Sequence, residues 1–415
     1  MVTKEQSLQY HQGGKVSIAL RRALLSTEDL CMAYTPGVAS AVQEIANHYD
    51  KVYDLTAKSN MVGVVSDGSA ILGLGDLGAT ASIPVMEGKA VLFKAFAGID
   101  AWPIPLAHCR LGGKDEGPTD PQHVIDAVLA IAPQYGGINL EDIAAPACFE
   151  IEDTLDRLLD IPVFHDDQWG TAIIVTAGVM NVAELTGKTL GGMKVVVNGA
   201  GAAGIRIVDM LKAAGVSDIT MFDSRGVVCS SRTDLSEHKR RHSRVVGEFL
   251  SRREALRGAD VFIGVSKADV LSGYDIKGMA DYPAIFAMAN PNPEIKPELV
   301  AKTFQGRPYI MATGRSDYPN QINNVLCFPF VFWGALKARA KTISTEMKVA
   351  AAKALAMLAR EPVGADVKNM YPGERLEFGD GYILPKPFDK RLLPVIGNAV
   401  SEAAKRCAVS QQANN

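Results

Sequence analysis

A strand, a glycine-rich turn, a helix and a second strand follow one another in this chain, and their order constrains the fold more than any other feature. Lys-Val-Val-Val-Asn (194–198) precedes Gly-Ala-Gly-Ala-Ala-Gly; residues 205–214 then carry apolar side chains at helical spacing, and Ile-Thr-Met-Phe-Asp (219–223) follows. This order is that of a parallel βαβ unit. Later apolar runs at 261–265 and 285–289 predict further parallel strands. One doubly wound unit should therefore extend from residue 188 to about residue 313.

The glycines of the turn have the spacing that dinucleotide binding requires. Gly199 permits the tight turn, Gly201 allows the backbone to approach a pyrophosphate, and Gly204 lets the helix pack against the sheet. The positive end of the helix would face the phosphates. We therefore predict a Rossmann-type site for NAD or NADP. Its loop consists of Gly199, Ala200, Gly201, Ala202, Ala203 and Gly204.

Two residues, one at the end of the second strand and one just after it, bear on the choice of cofactor. Asp223 ends that strand 24 residues after Gly199, where a carboxylate can accept hydrogen bonds from the adenosine ribose. A carboxylate there favours NAD, because it repels the additional phosphate of NADP. Arg225 favours NADP, since its guanidinium can stack on adenine or pair with that phosphate. The sequence leaves this choice open.

A basic segment lies at residues 236–253 and contains six Lys or Arg residues but only two acids. One interpretation is a solvated loop or helix face. The other is a patch close to the 2′-phosphate of NADP. Nothing in the sequence directs the segment toward the cofactor.

A second glycine motif, formed by Gly73, Gly75 and Gly78, is expected to be a turn in a substrate-binding domain. Pro84 should soon interrupt any helix after it, and no later strand ends in an acid at the expected distance. Strands of that domain are predicted at 61–65, 91–95 and 161–164.

Composition limits the class of ligand. With 47% hydrophobic and 21% charged residues, the 415-residue chain is typical of soluble globular proteins. Its 43 Lys and Arg residues against 46 Asp and Glu residues leave a net charge of −3, which does not favour nucleic acid or a membrane as partner. The six cysteines form no CxxC pair, and residues 1–15 lack the apolar segment of a secretory signal. We expect a cytoplasmic protein with small-molecule ligands.

Two acidic pairs follow apolar runs in the first part of the chain. Glu141 and Asp142 follow Gly-Gly-Ile-Asn-Leu, and Asp166 and Asp167 follow Ile-Pro-Val-Phe-His. Mg²⁺ and Mn²⁺ prefer oxygen ligands and leave positions for water and substrate. Solvated loop ends are the alternative interpretation of these pairs. His165 is expected to be a packed or capping residue rather than a ligand.

Tyr34 and Lys89 are candidates for acid–base chemistry. Tyr34 lies in Ala-Tyr-Thr-Pro-Gly-Val-Ala, and Lys89 lies in Pro-Val-Met-Glu-Gly-Lys-Ala. A lysine that is buried and close to a cation can have its pKa lowered enough to act as a base near neutral pH. Packing and solubility are the alternative roles of both residues.

The motifs of this chain, taken in order, resemble those of the malic enzyme family in its short bacterial-type form. The similarity extends over nearly the whole sequence. It rests on Ala33-Tyr34-Thr35-Pro36-Gly37-Val38-Ala39, Ser66-Asp67-Gly68, Leu72-Gly73-Leu74-Gly75-Asp76, Pro84-Val85-Met86-Glu87-Gly88-Lys89, Gly137-Ile138-Asn139-Leu140-Glu141-Asp142-Ile143, Phe164-His165-Asp166-Asp167-Gln168, the loop 199–204, Ala289-Asn290-Pro291-Asn292-Pro293, Thr313-Gly314-Arg315-Ser316-Asp317, Asn323-Asn324-Val325 and Ile383-Leu384-Pro385-Lys386-Pro387-Phe388.

The resemblance implies oxidative decarboxylation of L-malate to pyruvate and CO2 with reduction of NAD or NADP, and it extends to oxaloacetate decarboxylation. Glu141, Asp142 and Asp167 match the family's ligands for Mg²⁺ or Mn²⁺. Lys89 matches the residue that accepts the 2-hydroxyl proton, and Asp166 lies beside the metal and near this base.

The remaining roles also come from the resemblance. Tyr34 matches the acid that protonates C3 of the enolate, and Lys89 can restore its proton. Asn290, Asn324 and Asn320 are implied to hold the substrate carboxylate and the nicotinamide; turn formation is the alternative role of these asparagines. The family also implies a homodimer, in which an N-terminal arm can be exchanged.

Two residues of this chain differ from the corresponding residues of family members, and its length differs from that of longer members. Ala70 occupies the place where larger relatives carry an arginine for the malate carboxylate, so other groups must hold it here. Trp169 replaces a histidine that is frequent in short relatives. The length fits a malic enzyme core, with no room for the acyltransferase-like domain of longer relatives.

These observations predict an α/β protein of three parts. An N-terminal substrate- and metal-binding domain covers residues 1–170, a Rossmann-type NAD(P)-binding domain covers 171–315, and C-terminal helices over 316–415 complete the first domain. Helical patterns at 343–359 and 394–407 belong to the last part. Two alternative functions stay open: a malolactic enzyme, which releases lactate, and a non-catalytic NAD(P)-binding sensor.

Overall fold

The computed structural model describes residues 2–71, 74–113, 116–245 and 250–407. Its strands are β1 (Met61–Ser66), β2 (Asp100–Pro105), β3 (Gly137–Leu140), β4 (Val163–His165), β5 (Lys194–Asn198), β6 (Asp218–Asp223), β7 (Gly226–Val227), β8 (Val261–Gly264), β9 (Ala284–Ala287) and β10 (Ile310–Thr313).

Its helices are α1 (Lys4–His11), α2 (Thr27–Ala33), α3 (Val38–Asn47), α4 (Val52–Leu55), α5 (Gly78–Ala97), α6 (Pro121–Ile131), α7 (Ala147–Leu158), α8 (Asp166–Thr186), α9 (Ala202–Ala213), α10 (Glu237–Arg240), α11 (Arg252–Leu256), α12 (Gly273–Ile276), α13 (Pro297–Thr303), α14 (Phe328–Lys337), α15 (Thr345–Arg360), α16 (Ala365–Met370) and α17 (Leu392–Arg406). Short 3-10 helices lie at Tyr49–Lys51, Ala57–Asn60, Ala132–Gln134, Leu190–Gly192 and Asn324–Leu326.

The first sheet has the strand order β2-β1-β3-β4, and all four strands are parallel. Every residue of β3 and β4 is buried, as expected for strands covered on both faces. The register sets Val65 beside Leu140, and Leu140 beside His165. Because parallel strands end at the same edge, the acidic pairs that follow β3 and β4 are neighbours.

The second sheet has the order β10-β9-β8-β5-β6-β7 and is parallel except for β7. The order reverses between β5 and β8, so the glycine loop after β5 lies at the topological switch point. The predicted strand 194–198 coincides with β5, and the predicted Rossmann-type fold is confirmed.

The C-terminal helices pack back on helices of the first part of the chain. α14 contacts α5, where Phe93 meets Phe328 edge-on with ring centroids 4.9 Å apart and meets Phe332 at 5.3 Å. α15 packs on α8, and α17 packs on both α14 and α15. The apolar side chains of these helices, of the first sheet and of one face of the second sheet share a buried core, and the other face of the second sheet forms a separate apolar cluster. The boundaries predicted for the three domains stay a prediction.

Two sequence predictions around α5 are wrong. The run 91–95, predicted as a strand, lies inside α5, and this helix continues through Pro84 rather than stopping near it. Buried apolar residues recur along α5 at helical spacing, and their packing outweighs the loss of one backbone donor at the proline. Of the glycine motif before the helix, Leu72 and Gly73 lie outside the described residues, as do residues 246–249 of the basic segment.

α8 is long and apolar enough to cross a membrane by length and composition. Inside the fold, however, 78% of its most apolar window is buried. α9 and α15 cover it. Its composition is that of a central core helix, which is apolar on all sides because neighbouring elements enclose it.

Candidate active site

Four carboxylates converge at the carboxyl edge of the first sheet. Glu141 and Asp142 follow β3, and Asp166 and Asp167 form the first turn of α8, where the helix dipole favours negative charge. Glu141, Asp142 and Asp166 are almost fully buried. Ligand oxygens of Glu141, Asp142 and Asp167 all lie within 4.8 Å of one another. The predicted interpretation of these pairs as solvated loop ends therefore does not hold.

Lys89 lies in the middle of this carboxylate cluster. It extends from α5, and its Nζ lies 3.0 Å from Glu141 Oε1 and contacts Asp166 Oδ2 directly. The ring of Phe328 covers the amine, with the ring centroid 4.6 Å from Nζ. One buried cation thus faces the carboxylates, which outnumber it.

The charges of the cluster set the protonation of its members. Burial raises the pKa of Glu141 and of Asp166, and the charge of Lys89 opposes this rise. For Lys89, burial lowers the pKa, but the charges of Asp166, Glu141 and Asp167 together raise it by more than burial lowers it. The net shift of the pKa is upward. In the protein alone the carboxylates outnumber the amine and hold its pKa up, and the lowering expected beside a bound cation stays a prediction. Bound positive charge would be needed to lower it.

The donor set fits a divalent cation. Three carboxylates provide oxygens at mutual distances that one ion can span, and Asp166 Oδ1 is buried with no hydrogen-bond partner among the described residues. Asp142 has a φ of 53°, a left-handed conformation that its β-carbon makes costly. Its backbone N–H donates to Asp167 Oδ2 at 2.8 Å, which joins the ends of the two strands. Oxygen ligands of this kind match Mg²⁺ or Mn²⁺.

Two asparagines contact the carboxylates. Asn324 donates from Nδ2 to Asp166 Oδ2, so this predicted residue lies at the cluster. Asn139, to which the sequence prediction assigned no role, is fully buried and donates from Nδ2 to Glu141 Oε2 at 3.1 Å. Asn139 lies in β3, two residues before Glu141. Alternate residues of a strand share one face, so this spacing could have indicated that the two side chains are neighbours.

Tyr34 and His165 differ from the rest of the site. The side chain of Tyr34 is 69% exposed, and its hydroxyl has no hydrogen-bond partner in the described part of the chain. This single chain therefore does not bring Tyr34 into contact with Lys89. His165 is buried, with Nδ1 3.8 Å from Asp167 Oδ2, and neither ring nitrogen has a hydrogen-bond partner among the described residues.

The cofactor loop has the geometry that its glycines predict. Gly199 has a φ of 123°, and a β-carbon there would lie 2.4 Å from the carbonyl oxygen of Val265. A β-carbon on Gly204 would lie 1.8 Å from the carbonyl oxygen of Gly199. Gly201 faces open space, so a phosphate can approach its backbone at the start of α9.

Asp223 lies at the end of β6 as predicted, but its carboxylate is already engaged. Oδ1 accepts from Arg232 at 2.8 Å and from the backbone N–H of Arg225 at 2.9 Å. Oδ2 accepts from Lys239 at 2.9 Å and from Arg232 at 3.1 Å. Although burial opposes it, these donors lower the pKa of Asp223 to about 2. The sequence prediction includes a patch near the cofactor as one interpretation of the basic segment that contains Lys239. It does not include the binding of Asp223 by Arg232 and Lys239, because distance along the chain does not show which charges meet.

The asparagines after the second sheet have different environments. Asn290 is exposed beyond the end of β9, where it can reach a cofactor. The expectation that Asn320 holds substrate needs correction. Its side chain is buried, donates to the carbonyls of Met311 and Asp380, and accepts from the backbone N–H of Ile383 at 2.8 Å. With all its polar atoms bonded to backbone, Asn320 joins three segments and has no group left for a ligand.

Glu294 is a further residue that the sequence prediction missed. Its buried carboxylate accepts from the backbone N–H of Ser266 at 2.8 Å and from that of Ala289 at 3.0 Å. It thereby ties the segments after β8 and β9 together beside the cofactor loop. Burial raises its pKa despite these hydrogen bonds.

Arg110 lies in a cleft of about 870 Å³ above the ends of β1 and β2. It is buried and pairs with the carboxylates of Asp67 and Asp76. Its charge is thus already compensated and does not replace the arginine that is absent at Ala70.

Comparisons with known proteins give a consistent assignment. The family model "Malic enzyme, N-terminal domain" matches residues 13–156, and "Malic enzyme, NAD binding domain" matches residues 169–374. An NADP-dependent malic enzyme of Halomonas elongata is 47% identical over 99% of this chain and 95% of its own length. A probable NADP-dependent malic enzyme of Rickettsia prowazekii is 48% identical over 98% of this chain.

The relatives differ in length, and the fold agrees with a solved structure. This chain spans about half of the Rickettsia protein, 52% of its length, and similar shares of other curated relatives. The crystal structure of malic enzyme from Pyrococcus horikoshii is 40% identical and superposes with a TM-score of 0.87. The superposition covers 99% of this chain and 92% of that one.

Proposed function

The chain belongs to the malic enzyme family, and on this basis we propose that it converts L-malate to pyruvate and CO2 while it reduces NAD⁺ or NADP⁺. The proposal includes a divalent cation, Mg²⁺ or Mn²⁺, held by Glu141, Asp142 and Asp167. The glycine loop 199–204, with Asn290 beyond β9, binds the cofactor.

The single observation that carries the proposal is the convergence of four carboxylates, three of them buried, around one lysine. Such a cluster is costly without a cation, because burial and mutual repulsion both oppose ionisation. A sensor that binds only the dinucleotide does not need it. The bound ion would polarise the substrate oxygens during oxidation and decarboxylation, and the nicotinamide would accept the hydride.

Lys89 handles the proton of the 2-hydroxyl. Its Nζ is held between Glu141 and Asp166, so the neutral amine, once bound positive charge lowers its pKa, can accept that proton at a defined position. Asp166 stays in contact with the amine and orients it. Asn324 in turn positions Asp166 and presents an amide beside the substrate.

The protonation of C3 is assigned to Tyr34, and this step needs a second chain. Tyr34 is exposed, and none of the helices α1 to α4 contains a buried residue. We therefore propose a homodimer whose N-terminal arms cover each other's sites.

The cytoplasm is the proposed location, and the division at residues 170 and 315 is the proposed domain organisation.

The test is a balance of products. Purified protein is supplied with L-malate, Mn²⁺ and each cofactor, and reduced cofactor, pyruvate and lactate are measured. The proposal predicts equimolar pyruvate and reduced cofactor. Lactate without net reduction would establish the malolactic alternative, and no turnover with either cofactor would support the sensor.

A substitution at Lys89 tests the assigned chemistry. Lys89→Met should lower kcat by about 10²- to 10⁴-fold, the usual contribution of a positioned acid–base group. Lys94→Met is the matched control, because Lys94 is on the same helix with its side chain 64% exposed and pairs with Asp100. Unchanged turnover in Lys89→Met would refute the role.

A further inference from the structure

The end of β6 is closed to the hydrogen bonds that an NAD ribose makes there. In a Rossmann fold the acid at this position accepts from the ribose hydroxyls. Here both oxygens of Asp223 are bonded within the protein, and its side chain is 6% exposed. Arg232 binds it with two nitrogens, the strongest geometry for an arginine and a carboxylate. An NAD ribose would have to break this pair.

The corner around Asp223 carries more positive than negative charge. Arg225, Arg232 and Lys239 face two carboxylates, Asp223 and Asp234. Arg225 is 70% exposed, and Lys239 is 28% exposed, so both can reach a ligand while they keep their internal partners. An anion that approaches the end of β6 therefore meets cations rather than a free carboxylate.

Two described residues of the basic segment, Arg244 and His238, are held by contacts within the protein rather than solvated at random. Arg244 pairs with Asp218 and donates to Thr220 at 2.8 Å, both on β6. Its backbone carbonyl accepts from Ser230 at 2.9 Å. His238 on α10 stacks on Phe149, with ring centroids 4.3 Å apart. The His238 stacking lies on α10, and Lys239 on the same helix reaches Asp223 at the end of β6.

We propose that this corner binds the 2′-phosphate of NADP, with Arg225 and Lys239 as its contacts and Arg232 as the residue that positions Asp223. The proposal rests on the proposed function, since it assigns the cofactor of the same reaction. A phosphate monoester carries up to two negative charges and accepts several charge-assisted hydrogen bonds, which match the exposed guanidinium and ammonium groups. NAD offers this corner a neutral hydroxyl instead.

Binding of two fragments tests the proposal without catalysis. Isothermal titration measures 2′,5′-ADP, which carries the 2′-phosphate, against 5′-AMP, which lacks it. We expect 2′,5′-ADP to bind at least about tenfold more tightly, the effect of one charge-assisted contact. Equal affinities, or tighter binding of 5′-AMP, would overturn the proposal.

Substitutions assign the effect to residues. Arg225→Gln combined with Lys239→Gln should abolish the preference for 2′,5′-ADP and leave 5′-AMP binding unchanged. Arg241→Gln is the matched control, because Arg241 lies just after α10 with its side chain 60% exposed and pairs with Glu237. A preference that survives the double substitution would contradict the assignment.

Kinetics separate this inference from the proposed function. In Arg232→Gln, Asp223 is released, so kcat/KM should rise with NAD⁺ and fall with NADP⁺, mainly through KM. If the wild-type protein oxidises malate but prefers NAD⁺, the inference fails while the function stands. If it oxidises no malate but prefers 2′,5′-ADP, the function fails while the phosphate site stands.

Discussion

At the scale of single residues, Gly170 determines whether the carboxylate cluster can form. A β-carbon at this position of α8 would lie 1.9 Å from Asp166 Oδ1 and 3.0 Å from Asn324 Cβ. Asp166 cannot move away without leaving Lys89, so the absence of a side chain keeps three site residues together.

Gly170→Ala should therefore lower activity without unfolding the protein. We expect kcat to fall by at least about tenfold, because Asp166 loses its position, while circular dichroism stays native. Gly88→Ala is the control: it is also helical, one residue from Lys89, and its β-carbon would meet only Lys15 Nζ at 3.7 Å. Equal activities of the two variants would contradict the argument.

Lys348 provides a pH-dependent test of buried charge. Burial lowers its pKa to about 8, and its Nζ lies 3.6 Å from the centroid of the Trp169 ring. A lowered lysine pKa means that the charged form destabilises the fold below about pH 8. As pH rises toward 10.5, the folded state releases the proton that the unfolded state still holds, so stability increases.

Lys348→Met should raise the free energy of unfolding near neutral pH by about 1 to 2 kcal/mol, since the relief of burial exceeds the lost cation–π contact. Urea unfolding at several pH values measures this difference. The advantage of the variant should shrink between pH 8 and 10.5. A variant that is less stable at neutral pH would contradict the account.

At the scale of elements, the sequence predicts β5, α9 and β6 to within a few residues, but not α5. The glycine turn and the β-branched strand can be recognised from their own residues. The run 91–95 is apolar whether it forms a strand or a helix, and only the packing of α5 on β1, β2 and α14 distinguishes the two. The acidic pairs could be predicted because they follow strands that end at one edge. The Asp223 cluster could not, because Lys239 reaches it across 16 residues through the placement of α10.

Asn181 joins the elements that enclose α8. Its Nδ2 donates to the carbonyls of Ala356 on α15 and of Ile383, and its Oδ1 accepts from Arg360 at 2.8 Å. Asn181→Leu leaves these buried groups without partners and should lower the free energy of unfolding by about 2 to 4 kcal/mol. Thermal unfolding measures it, and an unchanged Tm would contradict this role.

At the scale of the whole molecule, the proposed dimer rests on apolar surface that the N-terminal region leaves exposed. More than half of the exposed large apolar side chains of the described residues lie in residues 2–60, among them Ile18, Leu20 and Leu25. A surface of this kind marks an interface. The composition of the sequence does not reveal this surface, because it counts apolar residues without showing which of them remain exposed after folding.

Light scattering should accordingly give twice the 44.4 kDa of one chain. Leu25→Lys should weaken the dimer, since Leu25 is 87% exposed in the single chain, whereas Leu158→Lys, 55% exposed on α7, should not. A monomeric wild-type protein would contradict the proposed assembly.

Mixed dimers test the exchange of arms. Tyr34→Phe and Lys89→Met are each expected to be inactive in decarboxylation. If Tyr34 acts on the partner's site, a hybrid of the two variants contains one intact site, and activity returns on mixing. No recovery after exchange of subunits would place Tyr34 in its own chain's site.

Direct Mn²⁺ binding tests the proposed cation site that the carboxylates around Lys89 form. Electron paramagnetic resonance of free Mn²⁺ should show one ion bound per wild-type chain. Asp142→Asn should weaken this binding by at least about tenfold, whereas Asp160→Asn, with its side chain 76% exposed in the wild type, should not. Absence of Mn²⁺ binding, or equal binding by Asp142→Asn and wild type, would contradict the account.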